Sequence, residues 1–450
     1  MIFSPQQAIL TLGRTYFDPV EAANFPQALL RFRNDRAAAT VGLDSLSDAE
    51  WIAHFGRFQP LPGSLPQPLA LRYHGHQFRV YNPEIGDGRG FLFAQMTDDR
   101  GRLLDLGTKG SGQTPYSRFG DGRLTLKGGV REILATEMLE ALGVETSKTF
   151  SLIETCEELH RGDEPSPTRS AVLVRLSHSH IRIGTFQRLA YFEEKDALRA
   201  LTAYCLDHYF GEPAGDDAPE RLLAHVVDGT ARMAAQFIAA GFVHGVLNSD
   251  NINVTGESFD YGPWRFAPSW DPGFTAAYFD HAGLYAFGRQ PEAIYWDVMQ
   301  LAISLRRIAE EEPIVAALDT FPDRYRAALV EATLWRLGVL PHDDERDRAL
   351  TAAIEAALTA SGASLDHFYF DWFGGAVPAD YGPEFDAVRD LLGPYIPRKP
   401  RNHPYWSDPA PCAMLIEEVE AIWSPIAEAD DWTAFETKVA QIRRMAEALA

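Results

Sequence analysis

The sequence predicts an α+β protein with two lobes, a small sheet-rich lobe followed by a larger helical lobe. Residues 71–130 are dense in glycine and hold short apolar runs, which is typical of a sheet with tight turns. Beyond about residue 190, apolar residues recur at steps of three and four, which is typical of helices. We therefore expect residues 1–190 to form an N-terminal extension and a sheet lobe, and residues 191–450 to form a helical lobe.

The first expected element is a β-hairpin. Two apolar runs, Phe91–Met96 and Leu103–Leu106, flank the polar stretch Asp98-Asp99-Arg100-Gly101. Short apolar runs on both sides of a glycine-containing polar turn predict two paired strands. A helix is predicted from about Gly129 to Gly143, because Val130, Ile133, Leu134, Met138 and Leu142 recur at helical spacing.

Further strands are predicted at residues 149–153 and 171–176. Periodic apolar patterns then predict six helices, near residues 195–209, 219–240, 291–310, 321–337, 346–360 and 431–449. A sheet lobe with one prominent helix, followed by a larger helical lobe, is the layout of a protein-kinase-like fold.

The composition limits the classes of partner. The chain has 63 Asp and Glu against 41 Lys and Arg, a formal charge of −22, which argues against broad binding to nucleic acid or to anionic lipid. No apolar run reaches the length of a membrane span, and the first residues lack the basic region of a signal peptide. We expect a cytoplasmic protein without nucleic-acid or membrane partners.

The cysteines and the closely spaced histidines do not form a recognisable zinc-binding or disulfide motif. Cys156, Cys205 and Cys412 lie far apart without a C-x-x-C spacing, so we interpret them as buried structural thiols. The segment His74-Gly75-His76 has no third metal ligand near it in sequence, and we interpret both histidines as structural.

A glycine-rich segment, Gly86-Asp87-Gly88-Arg89-Gly90, stands directly before the first strand of the hairpin. Gly86 and Gly88 would let backbone N–H groups approach phosphate oxygens, and the Arg89 guanidinium can bind a phosphate through two hydrogen bonds. A plain hairpin turn is the alternative interpretation of this segment alone.

Lys109 and Glu132 are a second candidate nucleotide-binding motif, because they follow each other along the chain in the order of the kinase ion pair. Lys109 stands late in a predicted strand, and Glu132 stands in the first turn of the helix that follows. Protein kinases hold nucleotide phosphates with a strand lysine that pairs with a helix glutamate. Each residue is also ordinary at its position, since glutamate near a helix N-terminus complements the helix dipole.

The most specific pattern lies between residues 244 and 262. In the kinase motif H-R-D-x-x-x-x-N a histidine precedes a metal-binding asparagine by seven residues, as His244 precedes Asn251, and Asp260-Tyr261-Gly262 stands where D-F-G follows. Asn251 and Asp260 are oxygen donors of the kind that Mg²⁺ accepts beside phosphates. The position of the kinase base is Val246, which cannot accept a proton, but the neighbouring Asp250 could serve as a base.

Arginines complete the candidate site. Arg175 and Arg182 bracket the end of a predicted strand and could neutralise a phosphate tail, although surface salt bridges are an alternative interpretation. The segment Arg118-Phe119-Gly120-Asp121-Gly122-Arg123 is either a glycine-rich turn or a loop that contacts nucleotide.

Several of these motifs, in this order, resemble the selenoprotein O family, also called the UPF0061 proteins. The resemblance covers about residues 70–290, with a further match at 397–402. Its strings are Gly75–Phe78, Tyr81-Asn82-Pro83, Gly86–Gly90, Lys109–Arg118, Gly120–Arg123, Arg131-Glu132, Ser179–Arg182, His244-Gly245-Val246, Asp250-Asn251, Asp260–Pro263 and Pro397–Asn402.

The resemblance implies a pseudokinase fold that binds ATP in a flipped orientation. It implies transfer of AMP, rather than phosphate, to Ser, Thr or Tyr hydroxyls of proteins, with Mg²⁺ or Mn²⁺ as the ion. Asp250 would be the proton acceptor, and Asn251 and Asp260 would bind the metal. The implied nucleotide contacts are Gly86, Gly88, Arg89, Lys109, Asp121, Gly122, Arg175, Arg182 and Asp260, with Glu132 as the ion-pair partner of Lys109.

Three alternatives stay open at this point: a protein kinase that uses Asp250 as its base, a nucleotide-binding scaffold without catalysis, and transfer of UMP with Mn²⁺. Members of the family carry selenocysteine or cysteine near the C-terminus. Here no cysteine follows Cys412, so the sequence does not predict redox control of that kind.

Overall fold

The computed structural model describes residues 2–162 and 164–450. The part before residue 178 holds eleven strands and three α-helices among these described residues. The strands are β1 (Pro5–Gln6), β2 (Phe17–Pro19), β3 (Leu29–Arg33), β4 (Leu69–Leu71), β5 (Gly75–Gln77), β6 (Val80–Asn82), β7 (Leu92–Thr97), β8 (Leu103–Lys109), β9 (Leu124–Thr125), β10 (Lys148–Leu159) and β11 (Thr168–Ser177). The helices are α1 (Asp35–Val41), α2 (Asp48–Phe55) and α3 (Leu126–Ala141).

The main sheet has the strand order β2-β4-β7-β8-β11-β10-β3; in addition, β1 pairs with β7 and β9 pairs with β11. The predicted hairpin is present: β7 and β8 are antiparallel, and Thr97 pairs with Leu103. Asp98 holds the turn, because its carboxylate accepts hydrogen bonds from the backbone N–H groups of Arg100 and Arg102 at 3.0 and 2.8 Å.

The sheet is buried on both faces. Alternate side chains of its central strands, such as Leu103 and Leu104, point to two different apolar clusters, as the two-residue period of a strand requires. One cluster contains Trp51 of α2 with its stacked ring Phe150. The other contains the apolar stripe of α3, so this helix is fixed against the sheet along its length.

Helix α3 begins at Leu126, three residues before the predicted start. Thr125 caps it, with its hydroxyl oxygen accepting a hydrogen bond from the Gly128 N–H at 3.1 Å. The predicted strands at 149–153 and 171–176 lie inside β10 and β11.

The remainder of the chain is mainly helical. Its helices are α4 (Ile183–Tyr191), α5 (Lys195–Phe210), α6 (Ala218–Ala240), α7 (Gln290–Leu305), α8 (Glu311–Leu318), α9 (Phe321–Leu337), α10 (Asp344–Ser361), α11 (Leu365–Trp372), α12 (Asp386–Leu392), α13 (Ile416–Ala429) and α14 (Thr433–Leu449). Two short strands, β12 (Phe242–Val243) and β13 (Arg265–Phe266), pair with each other.

The six predicted helices correspond to α5, α6, α7, α9, α10 and α14. The third ends at residue 305 rather than 310, because a turn over Arg306–Ile308 redirects the chain. The predicted α+β class with a sheet-rich first part and a helical second part is confirmed. The division of the chain at residue 190 stays a prediction.

Two further predictions concern burial. Of the three cysteines, Cys205 is buried, but Cys156 and Cys412 are only half-buried, so the interpretation as buried thiols is wrong for those two. In the described ranges no helix combines the length and the apolar character that a membrane crossing needs.

Candidate active site

A cleft of about 720 Å³ lies where the sheet meets the loop between β12 and β13. Ten of the twelve predicted site residues line it, namely Gly86, Gly88, Arg89, Lys109, Asp121, Gly122, Arg175, Arg182, Asp250 and Asp260. Of the other two, Glu132 forms an ion pair with the lining residue Lys109. Asn251 forms a hydrogen bond with Val246 in the loop that carries Asp250. The structure therefore brings together residues that span more than 170 positions of the sequence.

Lys109, at the end of β8, forms an ion pair with Glu132 of α3. The same ammonium lies 2.7 Å from Oδ1 of Asp260, so one lysine bridges two carboxylates. Lys109 and Glu132 are buried. An ammonium held by a helix glutamate, beside the aspartate of an Asp-Tyr-Gly segment, is the arrangement with which protein kinases hold phosphates.

Asp260 lies among cations. Burial alone would raise its pKa, but Lys109, then Arg175 and Arg182, outweigh burial and hold the pKa of Asp260 well below its usual range. Arg175 approaches the carboxylate at 3.4 Å. Asp260 has a φ of +66°, in the left-handed region that aspartate tolerates better than most residues. The carboxylate is therefore ionised and directed into the cleft at neutral pH.

The loop after β12 is held by its histidine. Nε2 of His244 lies 3.0 Å from the carbonyl oxygen of Phe259, directly before Asp260. Burial lowers the pKa of His244, so the ring is neutral and Nε2 donates. Nδ2 of Asn251 donates to the carbonyl of Val246 at 3.0 Å, which leaves the Asn251 Oδ1 oxygen for another partner. The Val246 side chain supplies no proton acceptor at the position of the kinase base.

Asp250 is a buried carboxyl group with an unsatisfied oxygen. Its Oδ1 has no hydrogen-bond partner in the described part of the chain. Burial raises the pKa of Asp250 to about 6, although Arg182 opposes the shift. A carboxyl group that belongs to a cleft-lining residue and has a pKa close to the operating pH has the properties of a general base.

Arg182 ties the loop to the glycine-rich segment. One of its nitrogens donates to the Asp250 carbonyl at 3.0 Å, and another lies 3.2 Å from Asp87. Its guanidinium stacks over the ring of Tyr73, with 4.3 Å between the guanidinium carbon and the ring centroid. Asp87 in turn accepts a hydrogen bond from the Leu71 N–H of β4. This chain of contacts fixes the position of Asp250 relative to the sheet.

The glycines of the segment 86–90 have a packing role that the sequence analysis did not predict. A Cβ at Gly90 would lie 2.0 Å from the carbonyl oxygen of Thr108, and one at Gly86 would lie 2.5 Å from the Tyr116 ring. The backbone here is pressed between β8 and the following loop. Close packing therefore requires these glycines, whether or not they also approach phosphates.

The loop 113–123 covers one side of the cleft. Thr114 and Ser117 donate hydrogen bonds to the carbonyls of Asp87 and Gly88, so the loop rests on the glycine-rich segment. Farther along, Asp121 accepts two hydrogen bonds from Arg161 at 2.8 and 3.2 Å.

Sequence reasoning missed Asp87, Tyr73 and Arg161 as site residues. Asp87 lies inside the glycine-rich segment 86–90, so the sequence itself offered a signal for its role in the site. Tyr73 and Arg161 have no local signal, because they reach the cleft only when distant strands pair.

The cleft is lined by more basic than acidic side chains, although the chain as a whole is strongly acidic. Seven of its lining residues are Lys or Arg and four are Asp, whereas the whole chain carries −22. The basic members are Arg89, Lys109, Arg118, Arg123, Arg161, Arg175 and Arg182. Local positive charge in an acidic protein suits a polyanion with several negative charges.

The acidic and amide oxygens suit a hard cation only in part. No cluster of three His, Cys, Asp or Glu side chains with metal-binding geometry occurs among residues 2–162 and 164–450. Asn251 and Asp260 together offer two oxygen donors. This is the number that fits Mg²⁺ when phosphates and water complete its shell, so the donor set fits a metal bound together with a nucleotide.

Comparison with known proteins shows the family. A family model described as "Protein adenylyltransferase SelO" matches residues 3–373. The chain belongs to the SelO family.

Relatives of this SelO chain span nearly its whole length. It is 42% identical to the "Protein nucleotidyltransferase YdiU" of Synechococcus elongatus, over 96% of this chain and 93% of that protein. It is 43% identical to the protein of the same description from Gloeobacter violaceus, over 98% and 95% of the two chains.

Among solved structures, a rhoptry antigen kinase domain from Toxoplasma gondii overlaps 65% of this chain and 83% of its own, with 10% identity and a TM-score of 0.29. A score of this size supports no argument. The kinase-like character of this SelO protein rests instead on the sheet, the Lys109–Glu132 pair of β8 and α3, and the loop between β12 and β13.

Proposed function

We propose that this protein transfers AMP from ATP to Ser, Thr or Tyr hydroxyls of other proteins and releases pyrophosphate. Family membership supports nucleotidyl transfer to proteins. The observation that carries the assignment to this site is the exchange of the base position: Val246 stands where a kinase has its aspartate, and Asp250, whose buried Oδ1 has no hydrogen-bond partner among the described residues, lines the cleft.

In the proposed reaction the acceptor hydroxyl oxygen attacks the α-phosphorus of ATP. A bond forms between that oxygen and the α-phosphorus, and the bond from the α-phosphorus to the bridging oxygen of the β-phosphate breaks. The hydroxyl proton passes to the carboxylate of Asp250, whose raised pKa allows it to accept a proton as the attack develops. Pyrophosphate leaves with the electron pair of the broken bond.

The cations of the cleft have a role in holding the phosphates. Lys109, Arg89, Arg175 and Arg182 line the cleft around Asp260. In our proposal they neutralise the developing charge on the departing pyrophosphate. Glu132 keeps the Lys109 ammonium in place through its ion pair.

We propose Mg²⁺ or Mn²⁺ as the ion, held by Asn251 and Asp260. The ion would offset phosphate charge, which a protein of net charge −22 needs locally. Of the nucleotide contacts, Gly86 and Gly88 would act through their backbone, and Asp121 and Gly122 through the loop that covers the cleft. These roles, a cytoplasmic location and the expected lack of nucleic-acid or membrane partners stay proposals.

Phosphate transfer with Asp250 as base is the second candidate, because the same carboxylate serves either reaction. Incubation with α-³²P-ATP and with γ-³²P-ATP in parallel separates the two. Label from the α position in the acceptor supports AMP transfer, and label from the γ position alone refutes it. UTP with Mn²⁺ in a third reaction tests UMP transfer, and no label from any nucleotide would favour a scaffold.

A further inference from the structure

We propose that three exposed aromatic side chains, Phe78, Tyr278 and Phe279, form a docking surface for the acceptor polypeptide and select an aromatic or large aliphatic residue close to the acceptor hydroxyl. This inference rests on the proposed function. We call the three side chains the acceptor surface.

The acceptor surface is contiguous and uncovered by the described chain. Its members are 37%, 76% and 40% exposed in the order given. The ring centroids of Phe78 and Phe279 are 5.9 Å apart, and those of Tyr278 and Phe279 are 5.1 Å apart. Tyr278 also borders a shallow cavity of about 530 Å³ that extends from Pro272 to Arg289. Grouped exposed aromatic rings beside a cavity are typical of sites that bind a partner.

The acceptor surface is tied directly to the loop that carries Asp250. The Phe78 N–H donates to Oδ1 of Asn248 at 3.0 Å, and the His76 N–H donates to the hydroxyl of Ser249 at 2.8 Å. Both bonds join the β5–β6 hairpin to the two residues that precede Asp250. Tyr285, whose ring centroid lies 5.1 Å from that of Phe78, donates to the same oxygen of Asn248.

The base of the same hairpin lies against the proposed base of the reaction. A Cβ at Gly75 would lie 2.8 Å from Oδ1 of Asp250. Phe78 follows Gly75 by three residues, and a strand advances about 3.3 Å per residue. The acceptor surface therefore begins about 10 Å from the carboxylate. An extended polypeptide whose hydroxyl meets Asp250 would place a side chain two to four residues away on these rings.

The turn that presents Phe78 is unfavourable for its sequence. Gln77 pairs with Val80, so Phe78 and Arg79 form a two-residue turn, and their φ angles are +50° and +62°. Two left-handed residues define a type I′ turn, which favours Asn-Gly strongly. Phe and Arg at these positions are strained. Strain of this kind is concentrated at functional sites, and here it holds an apolar ring in solvent.

The hairpin is nevertheless held firmly on its other side. Arg79 lies 3.0 Å from Glu292, and its guanidinium lies over the Trp296 ring, with 5.4 Å to the centroid. Both partners belong to α7. The ring of Phe78 is thus presented on a fixed support, which lowers the conformational entropy that the protein itself loses when a chain docks.

The test uses short fluorescein-labelled peptides with a central serine, in which one flanking position at a time carries Phe, Leu or Ser. Affinity is measured by fluorescence anisotropy on the full chain with ATP and with EDTA to prevent transfer. We expect peptides with Phe or Leu two to four residues from the serine to bind about tenfold tighter than those with Ser there.

The decisive variant is Phe78→Asn. Asparagine suits a positive φ, so this change relieves the turn while it removes the ring. We expect the preference for Phe or Leu to disappear with an unchanged or higher Tm, and Phe279→Ser should weaken it as well. Ile396→Ser, at a side chain that is 64% exposed elsewhere in the helical part, is the matched control and should retain the preference.

Equal affinity of all peptides, or an intact preference in Phe78→Asn, would overturn the acceptor surface. So would a dimer of the chain that dissociates in Phe78→Asn while peptide affinities are unchanged. Transfer of label from α-³²P-ATP, with Mg²⁺ restored, is scored separately. Apolar-dependent binding without transfer would support the surface and refute the proposed function, whereas transfer without apolar dependence would do the reverse.

Discussion

Replacing Asp250 by asparagine separates the chemical role of this residue from its structural role. The amide has nearly the same shape as the carboxyl group but cannot accept the hydroxyl proton. General-base catalysis contributes about 10² to 10⁴ in rate, so we expect Asp250→Asn to lower AMP transfer by about that factor. Nucleotide affinity should change little, because the cations around Asp260 remain in place.

The same change should stabilise the fold at neutral pH. Burial raises the pKa of Asp250 from 3.8 to about 6. The folded protein therefore binds a proton at this site more tightly than the unfolded chain, and stability falls as pH rises from about 4 to 6. Each pKa unit corresponds to about 1.4 kcal/mol, so the ionised group costs about 3 kcal/mol above pH 6. Asparagine avoids this cost.

Two measurements check the prediction. Intact-mass spectrometry and α-³²P-ATP labelling give the rate of AMP transfer, and thermal unfolding at pH 5 and pH 8 gives the stability. In the unsubstituted protein kcat/KM should fall as pH falls through about 6, because the base is then protonated. In Asp250→Asn the residual rate should lose this dependence, and the Tm advantage over the unsubstituted protein should be larger at pH 8.

Asp196→Asn is the control, since Asp196 is fully exposed and paired only with Arg199 one turn away among the described contacts. It should leave both rate and Tm near those of the unsubstituted protein. An Asp250→Asn variant that transfers AMP at the full rate would refute Asp250 as the base. A variant that is inactive but also much less stable would show that the carboxyl group supports the fold.

Three other changes have distinct expected results. Lys109→Met leaves Glu132 and Asp260 without their shared cation. The free energy of unfolding, measured with denaturant, should fall by about 3–5 kcal/mol, and calorimetry should show a large loss of ATP affinity. Unchanged values would contradict the bridging role of Lys109. Asp260→Ala removes one proposed metal ligand, so Mg²⁺ should no longer tighten ATP binding in calorimetry, and retained Mg²⁺ dependence would exclude the assignment. Glu257→Gln should raise the free energy of unfolding by at most about 3 kcal/mol above pH 7, with no gain below pH 4.5, because burial raises the pKa of Glu257 to about 7. Equal urea midpoints at pH 5 and 8 for the variant and the unsubstituted protein would disprove this.

The local sequence patterns predicted the helices and strands well where apolar burial or turn chemistry alone determines the element. The β7–β8 hairpin follows from two apolar runs and a turn that Asp98 closes through its own backbone contacts. Helices α5 and α6 follow from apolar periodicity, because each buries one face against the same core, whereas the buried apolar residues of α9 are divided between two clusters. Helix α4 was not predicted: its nine residues are too few for a periodic pattern to stand out.

The site was predictable only as a set of residue types in order. The spacing of His244, Asn251 and Asp260 indicated a metal and phosphate site, and the loss at Val246 indicated an unusual base. The packing function of Gly86 and Gly90 was not predictable, since the atoms that they accommodate come from Tyr116 and Thr108. The same holds for the φ of +66° at Asp260.

The sequence by itself determined the α+β class, the order of the motifs and the family resemblance, because periodicity, turn residues and motif spacing are properties of neighbouring positions. The tertiary structure alone decided which charges meet. Lys109 bridges Glu132 and Asp260 only because β8, α3 and the loop after β12 converge. Arg182 connects Asp250 to Asp87 only because the segment between β11 and α4 meets that loop and the glycine-rich segment 86–90. The pKa of Asp250 depends on the same convergence, since burial and opposing charge arise from residues far apart in the chain.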